Sequence, residues 1–328
     1  MVYNSNLVKT ERENRIFGFF LVLPLVIIII TGNQLRARGF YSADDISALM
    51  KTLYWVILHP LLFRTTYIAG TEVLKQPNLL IASTLCYILT MIVAYIGSAW
   101  FAHRGSVKRV AVSVFSSFRS NNIYLGFPVI QMAMGEAGLH EASIYVAVTT
   151  VSFQLLSIAA GEAVLYGRPS VSGILNMLKK LALNPLIISC VLGVIAASFG
   201  FPIHFVFDEA MNLMSGAATA VALLALGGSL DLSRMGKIVK ILSSTWFDTL
   251  IKLAVNPAIM CAVLFLLPIS KELFQVTVML SAMPNAVNCF ILARGMGMDS
   301  EYAADLVAAT TLLGIISIPA WAYILGMV

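Results

Sequence analysis

Two short stretches hold the residues able to do chemistry. Residues 116–129 read Ser-Ser-Phe-Arg-Ser-Asn-Asn-Ile-Tyr-Leu-Gly-Phe-Pro-Val, and residues 281–290 read Ser-Ala-Met-Pro-Asn-Ala-Val-Asn-Cys-Phe. Each lies in an otherwise apolar segment of membrane-spanning length, yet each holds a proline and a cluster of amides and hydroxyls. In hydrocarbon, backbone freed by Pro or Gly must find partners in protein or in a water-filled cavity, so two such interruptions read as helices broken around a polar site. The candidate binding residues are Arg119, Asn121, Asn122, Tyr124 and Pro128 in the first stretch and Met283, Pro284, Asn285 and Asn288 in the second. Arg119 is too deep in its segment to snorkel, where an unsatisfied charge costs roughly 2.5–3.5 kcal/mol. Its guanidinium fork suits a carboxylate, and it suits equally well carbonyls freed by the helix break; the residue types leave both readings open. The asparagines donate and accept without the desolvation cost of charge, which fits a site that must release its ligand.

Three further groups are candidates for coupling or relay. Asp248 and Lys252, four residues apart, share a helical face and are expected to pair, either as a proton or substrate relay or as mutual neutralisers. Glu162, near the end of another apolar segment, is the third. Cys86, Cys190, Cys261 and Cys289 show no Cys-x-x-Cys spacing, and His59, His103, His140 and His204 show no paired-ligand spacing. That pattern indicates buried structural thiols, no metal and no cofactor. No carboxylate pair, nucleophile with base or metal triad is visible, so the chain does not read as an enzyme.

The elements that must position these groups follow from composition. With 59% hydrophobic and 11% charged residues, the chain is an all-α integral membrane protein rather than a soluble domain. Ten spans are predicted, roughly at 17–33, 46–69, 79–101, 109–133, 142–166, 182–199, 205–229, 238–267, 273–293 and 302–327. The first is kept as a span because no Ala-x-Ala-like cleavage chemistry follows it. The net charge of +5 reflects basic loops at a membrane face rather than nucleic-acid binding.

A constant offset of 161 residues lays the second half on the first: Pro24 on Pro185, Gly32 on Gly193, Gly39 on Gly200, Phe40 on Phe201, and residues 146–150 on 307–311. The two repeats are residues 1–166 and 167–328; with five spans each they would run through the membrane in opposite senses. Loops after odd-numbered spans hold most of the basic residues, among them Arg36, Arg104, Arg109, Lys180 and Lys240, which places both termini outside the cytoplasm. The two interruptions fall in the fourth and ninth spans, at equivalent positions. Gly227-Gly228 and Gly216-Ala217-Ala218 are expected to let helices approach closely.

Residues 122–128 (Asn-Ile-Tyr-Leu-Gly-Phe-Pro), 226–230 (Leu-Gly-Gly-Ser-Leu), Lys252 with Asn256-Pro257, residues 283–286 (Met-Pro-Asn-Ala), and Thr310-Thr311 with Ile318-Pro319 together resemble the auxin efflux carrier family, which includes bacterial malate permease-like proteins and plant PIN-type carriers. The resemblance implies ten helices in two inverted five-helix repeats, similar to the bile-acid sodium symporters. Spans 1, 2, 6 and 7 would form a scaffold, and spans 3–5 with 8–10 a transport domain in which broken helices 4 and 9 cross. It implies secondary-active or facilitated transport of small organic anions, such as malate or auxin-like acids, by an elevator mechanism with the chain dimerised through its scaffold in the lipid of a plasma or inner membrane. Proton coupling through the acidic groups is one option. The acidic pair that sodium-coupled relatives carry on the ninth span is missing, and the long loop of PIN-type carriers is reduced to residues 167–181. The alternatives are a sodium-coupled carrier of amphipathic or steroid-like anions and a non-transporting sensor.

Overall fold

The computed structural model describes residues 23–167, 185–229 and 238–327, together with Leu175, Lys179 and Leu183. Among them the backbone is helical, with one isolated β-bridge between Ser120 and Asn285. The chain runs through α1 (Leu23–Ala37), α2 (Ala43–Ile68), α3 (Pro77–Ala102) and α4 (Val107–Ser116). After a break, a π-turn at Asn122–Gly126 leads into the stretch Phe127–Tyr166, which Gly135 leaves in the left-handed region (φ 65°) and so divides into α5 (residues 122–134) and α6 (residues 136–166). Then come α7 (Pro185–Ser198), α8 (Phe205–Ser229), α9 (Ile238–Phe265), α10 (Lys271–Ser281), α11 (Cys289–Gly295) and α12 (Ser300–Ile324).

Each predicted span coincides with one of these helices or, at 109–133 and 273–293, with a broken pair; the start of the first lies outside the described residues. Five helices, α2, α3, α8, α9 and α12, are each long and apolar enough to cross a membrane, and a sixth is added if the bent stretch from Asn122 to Tyr166 counts as one span. Local chemistry sets the ends. Proline stands in the first turn at Pro77, where its missing N–H would have had no helical partner. Ser42 and Asp45 close a capping box on α2, and Ser270 and Asp299 cap α10 and α12.

Close approach depends on glycine. A Cβ at Gly32 would lie 2.2 Å from the Leu224 carbonyl oxygen, and one at Gly193 would lie 2.5 Å from the Phe63 carbonyl oxygen. These contacts are the same one seen twice: residues 32 and 63 plus 161 are residues 193 and 224. The helix ends repeat as well. Phe40 donates to the Leu35 carbonyl and Gly39 to Arg36, while Phe201 donates to Ala196 and Gly200 to Ala197, and both glycines have positive φ (77° and 61°). Each is a left-handed C-terminal cap with the same pair of bonds. Gly227 also meets a backbone, at Ile29, whereas a Cβ at Gly216 would meet nothing within 4 Å; the close packing expected of residues 216–218 is therefore absent at Gly216.

Contacts between helix ends sort into two sets. Arg36 donates to the Gly228 carbonyl, Arg109 pairs with Asp299, and Tyr166 donates to the Met296 carbonyl. Away from these, Tyr67 donates to Phe201, Asn78 to Pro268 and Gln275 to Leu325. Asp299 is held below the usual carboxylate range: partial burial opposes this, but the Tyr302 N–H and the Arg109 guanidinium outweigh it.

Adding a methyl where backbone already stands should separate the helices. Gly32→Ala and Gly193→Ala are each expected to cost about 1–3 kcal/mol, read as a lowered thermal midpoint of the purified chain, whereas Gly216→Ala should stay within about 0.5 kcal/mol of wild type.

Candidate functional site

The two interruptions meet. The Asn121 N–H donates to the Pro284 carbonyl (2.8 Å) and the Ala286 N–H to the Arg119 carbonyl (2.9 Å), so backbone freed by one break satisfies backbone freed by the other. Side chains complete the exchange. Asn285 Nδ2 donates to the Ser116 carbonyl (2.7 Å) at the end of α4, and its backbone N–H goes to Thr310 Oγ1 (3.2 Å). At the end of α10, the Ser281 carbonyl accepts from Lys252 Nζ (2.7 Å), Asn256 Nδ2 (2.8 Å) and Ser120 Oγ (3.2 Å). Lys252 also donates to Ser120 Oγ (2.9 Å) and is 0% exposed. A cation among the carbonyls of a helix C-terminus meets the negative end of the helix dipole.

A cavity of about 530 Å³ opens beside this crossing. One wall is α5 and α6 with the breaks, contributing Arg119, Asn121, Asn122, Tyr124, Gln154 and Asn288. The other is the apolar face of α2 and α7, including Leu58, Leu62, Cys190 and Val194. Arg119 is 1% exposed; Nη1 donates to Gln154 Oε1 and Ser157 Oγ, both at 2.7 Å, and the guanidinium lies over the Phe115 and Phe153 rings at 4.9 and 5.1 Å. All these partners are neutral, so among the described residues no carboxylate in contact matches its charge. Arg119 Nε and Asn122 Oδ1 are buried without a partner. The first turn of α5 faces the cavity, and its N-terminal N–H groups add partial positive charge to that of Arg119.

Of the sequence candidates, then, Arg119, Asn121, Asn122, Tyr124 and Asn288 line the cavity together. Met283, Pro284 and Asn285 are buried in the crossing instead, with Pro284 against Gly314 and Asn285 bonded to backbone. Pro128 starts the regular part of α5, packed among Leu58, Phe127 and Ala222. The expected Asp248–Lys252 pair does not form. Asp248 instead accepts from Ser113 and Tyr302 and meets His103 Nε2 at 2.9 Å. A π-segment, Ile251–Val255, begins between the two residues, and its wider turn takes them off a shared face. Glu162 is partly buried on α6 and makes no hydrogen bond or ion pair among the described residues. Sequence reasoning missed Gln154, Ser157 and Asn256. Only Asn256 carried a signal, in the Asn-Pro step after Lys252. Cys86, Cys190 and Cys289 are buried and Cys261 partly so, all as free thiols.

A bundle of apolar helices with two paired breaks beside a cavity that is polar on one wall is the architecture of a multi-pass membrane protein. The model of the family described as "Membrane transport protein" matches residues 168–322. An uncharacterized transporter of Methanothermobacter thermautotrophicus is 24% identical over 306 residues, covering 93% of this chain and 97% of its own. A "Putative malonate transporter" of Rhizobium meliloti is 24% identical over 312 residues, covering 93% and 95%. Auxin efflux carrier component 5 of Arabidopsis thaliana is 20% identical over 319 residues, covering 87% and 90%. Over nearly its whole length the chain is thus similar to membrane transporters, an auxin efflux carrier among them.

The geometry separates structural amides from cavity amides. Asn285→Ala removes the side-chain donor of the Ser116 carbonyl, leaving it the Arg119 N–H at 3.1 Å, and should cost about 0.5–1.5 kcal/mol in thermal or denaturant unfolding, whereas Asn288→Ala, at the cavity, should cost less than about 0.5 kcal/mol.

Proposed function

We propose that the chain is a secondary-active or facilitated carrier of small organic anions, working by elevator-type alternating access. The observation that carries this reading is the cavity itself: a buried guanidinium with an unpartnered Nε and the first turn of α5 stand on one side, and an apolar wall on the other. One carboxylate on an apolar body matches that division. At about 530 Å³ the cavity holds a small acid with room for water. The names of two relatives, one concerned with malonate and one with auxin, point to carboxylic acids too.

The reading extends to the architecture. Ten membrane helices would form two inverted five-helix repeats, residues 1–166 and 167–328. The repeated C-terminal caps and the repeated Gly32 and Gly193 contacts support that relation, and the end contacts above join only helix ends that such a path puts on one face. In this arrangement α1, α2, α7 and α8 are the scaffold, and the remaining helices move with the crossing. The cavity lies where the two groups meet, which is where an elevator carries its substrate. Basic loops at one face would put both termini outside the cytoplasm.

The test is uptake of labelled malate and indole acetate into proteoliposomes, with and without imposed proton and sodium gradients. Arg119→Ala should reduce saturable flux by about tenfold or more while the thermal midpoint shows a folded chain, since a hydrogen bond to a charged group is worth about 1.5–3 kcal/mol. Undiminished flux in that variant would overturn the carboxylate reading.

A further inference from the structure

Asp248, on α9, gathers side chains from three other helices. His103 comes from the end of α3, Ser113 from α4 and Tyr302 from α12, and Tyr302 OH also reaches His103 Nε2 at 3.1 Å. His103 and Asp248 are both buried. Yet His103 lines a second pocket, of about 590 Å³, between the ends of α3, α4 and α6, bordered by Tyr95, Ser106, Val110 and Ala163. An imidazole–carboxylate pair with a pocket at its edge is built to take up and give back one proton.

We propose that His103 and Asp248 form a proton-binding site whose occupancy is coupled to transport; the coupling, though not the site, rests on the transport reading above. A proton from water in the pocket adds to the His103 imidazole, converting a neutral ring beside a carboxylate into an ion pair. Its release leaves Asp248 held by the Ser113 and Tyr302 hydroxyls. The site shares two helices with the crossing. Asp248 precedes the π-segment of α9 from which Lys252 reaches Ser120 and Ser281, and Ser113 lies on α4, whose final carbonyl at Ser116 receives Asn285. A change of charge at His103, beside Asp248 and Ser113, is therefore applied to the two helices that hold the breaks together. The charged and titratable groups nearest the pair on neighbouring elements are Arg109 on α4, lying 5.1 Å over the Tyr302 ring and paired with Asp299, and Tyr95, which lines the same pocket; along the chain Arg104 follows His103, Lys108 precedes Arg109, and Glu162 precedes the pocket-lining Ala163. None of these except Tyr302 bonds to His103 or Asp248.

Two readouts test this. In the full chain labelled with ¹⁵N-histidine in lipid nanodiscs, the resonance lost in His103→Gln should respond to pH in the wild type, and that response should differ in Asp248→Asn. A resonance that does not titrate, or one indifferent to Asp248, overturns the site. In proteoliposomes, above protein-free vesicles, a gradient of about one pH unit should drive roughly tenfold accumulation of a transported acid at one proton per anion, and the ratio with and without the gradient should fall to about one in His103→Gln. An unchanged ratio overturns the coupling. Absence of any flux in the wild type overturns the transport reading and the coupling with it, while the resonance still decides whether the site exists. Tyr302→Phe, which keeps the ring, gives a second variant should His103→Gln fail to fold.

Discussion

The structure depends on two backbone hydrogen bonds, Asn121 to Pro284 and Ala286 to Arg119, exchanged between helices that are broken in the apolar layer. A free N–H or C=O in hydrocarbon costs several kcal/mol, so neither break could persist alone. Each is the other's partner. The consequence is that the fourth and ninth predicted spans form one unit, because sliding one against the other would open both bonds together.

Around that exchange, polar groups are divided unequally. The carbonyl ends of α4 and α10 are satisfied from within the protein, by Asn285, Lys252 and Asn256. The Arg119 guanidinium and the first turn of α5 face a cavity instead. Negative ends closed and positive ends open is the division on which the proposed anion specificity rests. Arg119 is kept in place by Gln154, Ser157 and two phenyl rings, all uncharged, so a visiting carboxylate would meet a cation that no resident carboxylate neutralises.

Much of this was legible in the sequence, for physical reasons. Long apolar runs have little choice but to be helices, and a proline among amides inside such a run marks a break. The 161-residue offset showed because the repeated glycines occupy places where a Cβ cannot fit or where φ is positive, as at Gly32 and Gly193 or Gly39 and Gly200. What stayed hidden was the division of labour among residues of one type. Asn285 and Asn288 look alike in sequence, yet one is locked to backbone and the other faces the cavity, a difference set by the irregular path of the break between α10 and α11 that no spacing rule resolves. Asp248 misled for a related reason. Four-residue spacing assumes an uninterrupted α-helix, and a π-segment follows it, while its true partners lie at His103, Ser113 and Tyr302, far away along the chain.

An elevator would carry the cavity-facing amides past the α2–α7 wall and expose them to each side of the membrane in turn. The direct measurement is labelling of single cysteines, Asn122→Cys and Asn288→Cys, in a chain with its four native cysteines replaced, using a membrane-impermeant thiol reagent added to one side or the other of sealed, oriented vesicles. The account predicts labelling from both sides, with the balance shifting when a transported acid is added. Labelling of both positions from one side only, under every substrate and gradient condition, would contradict it.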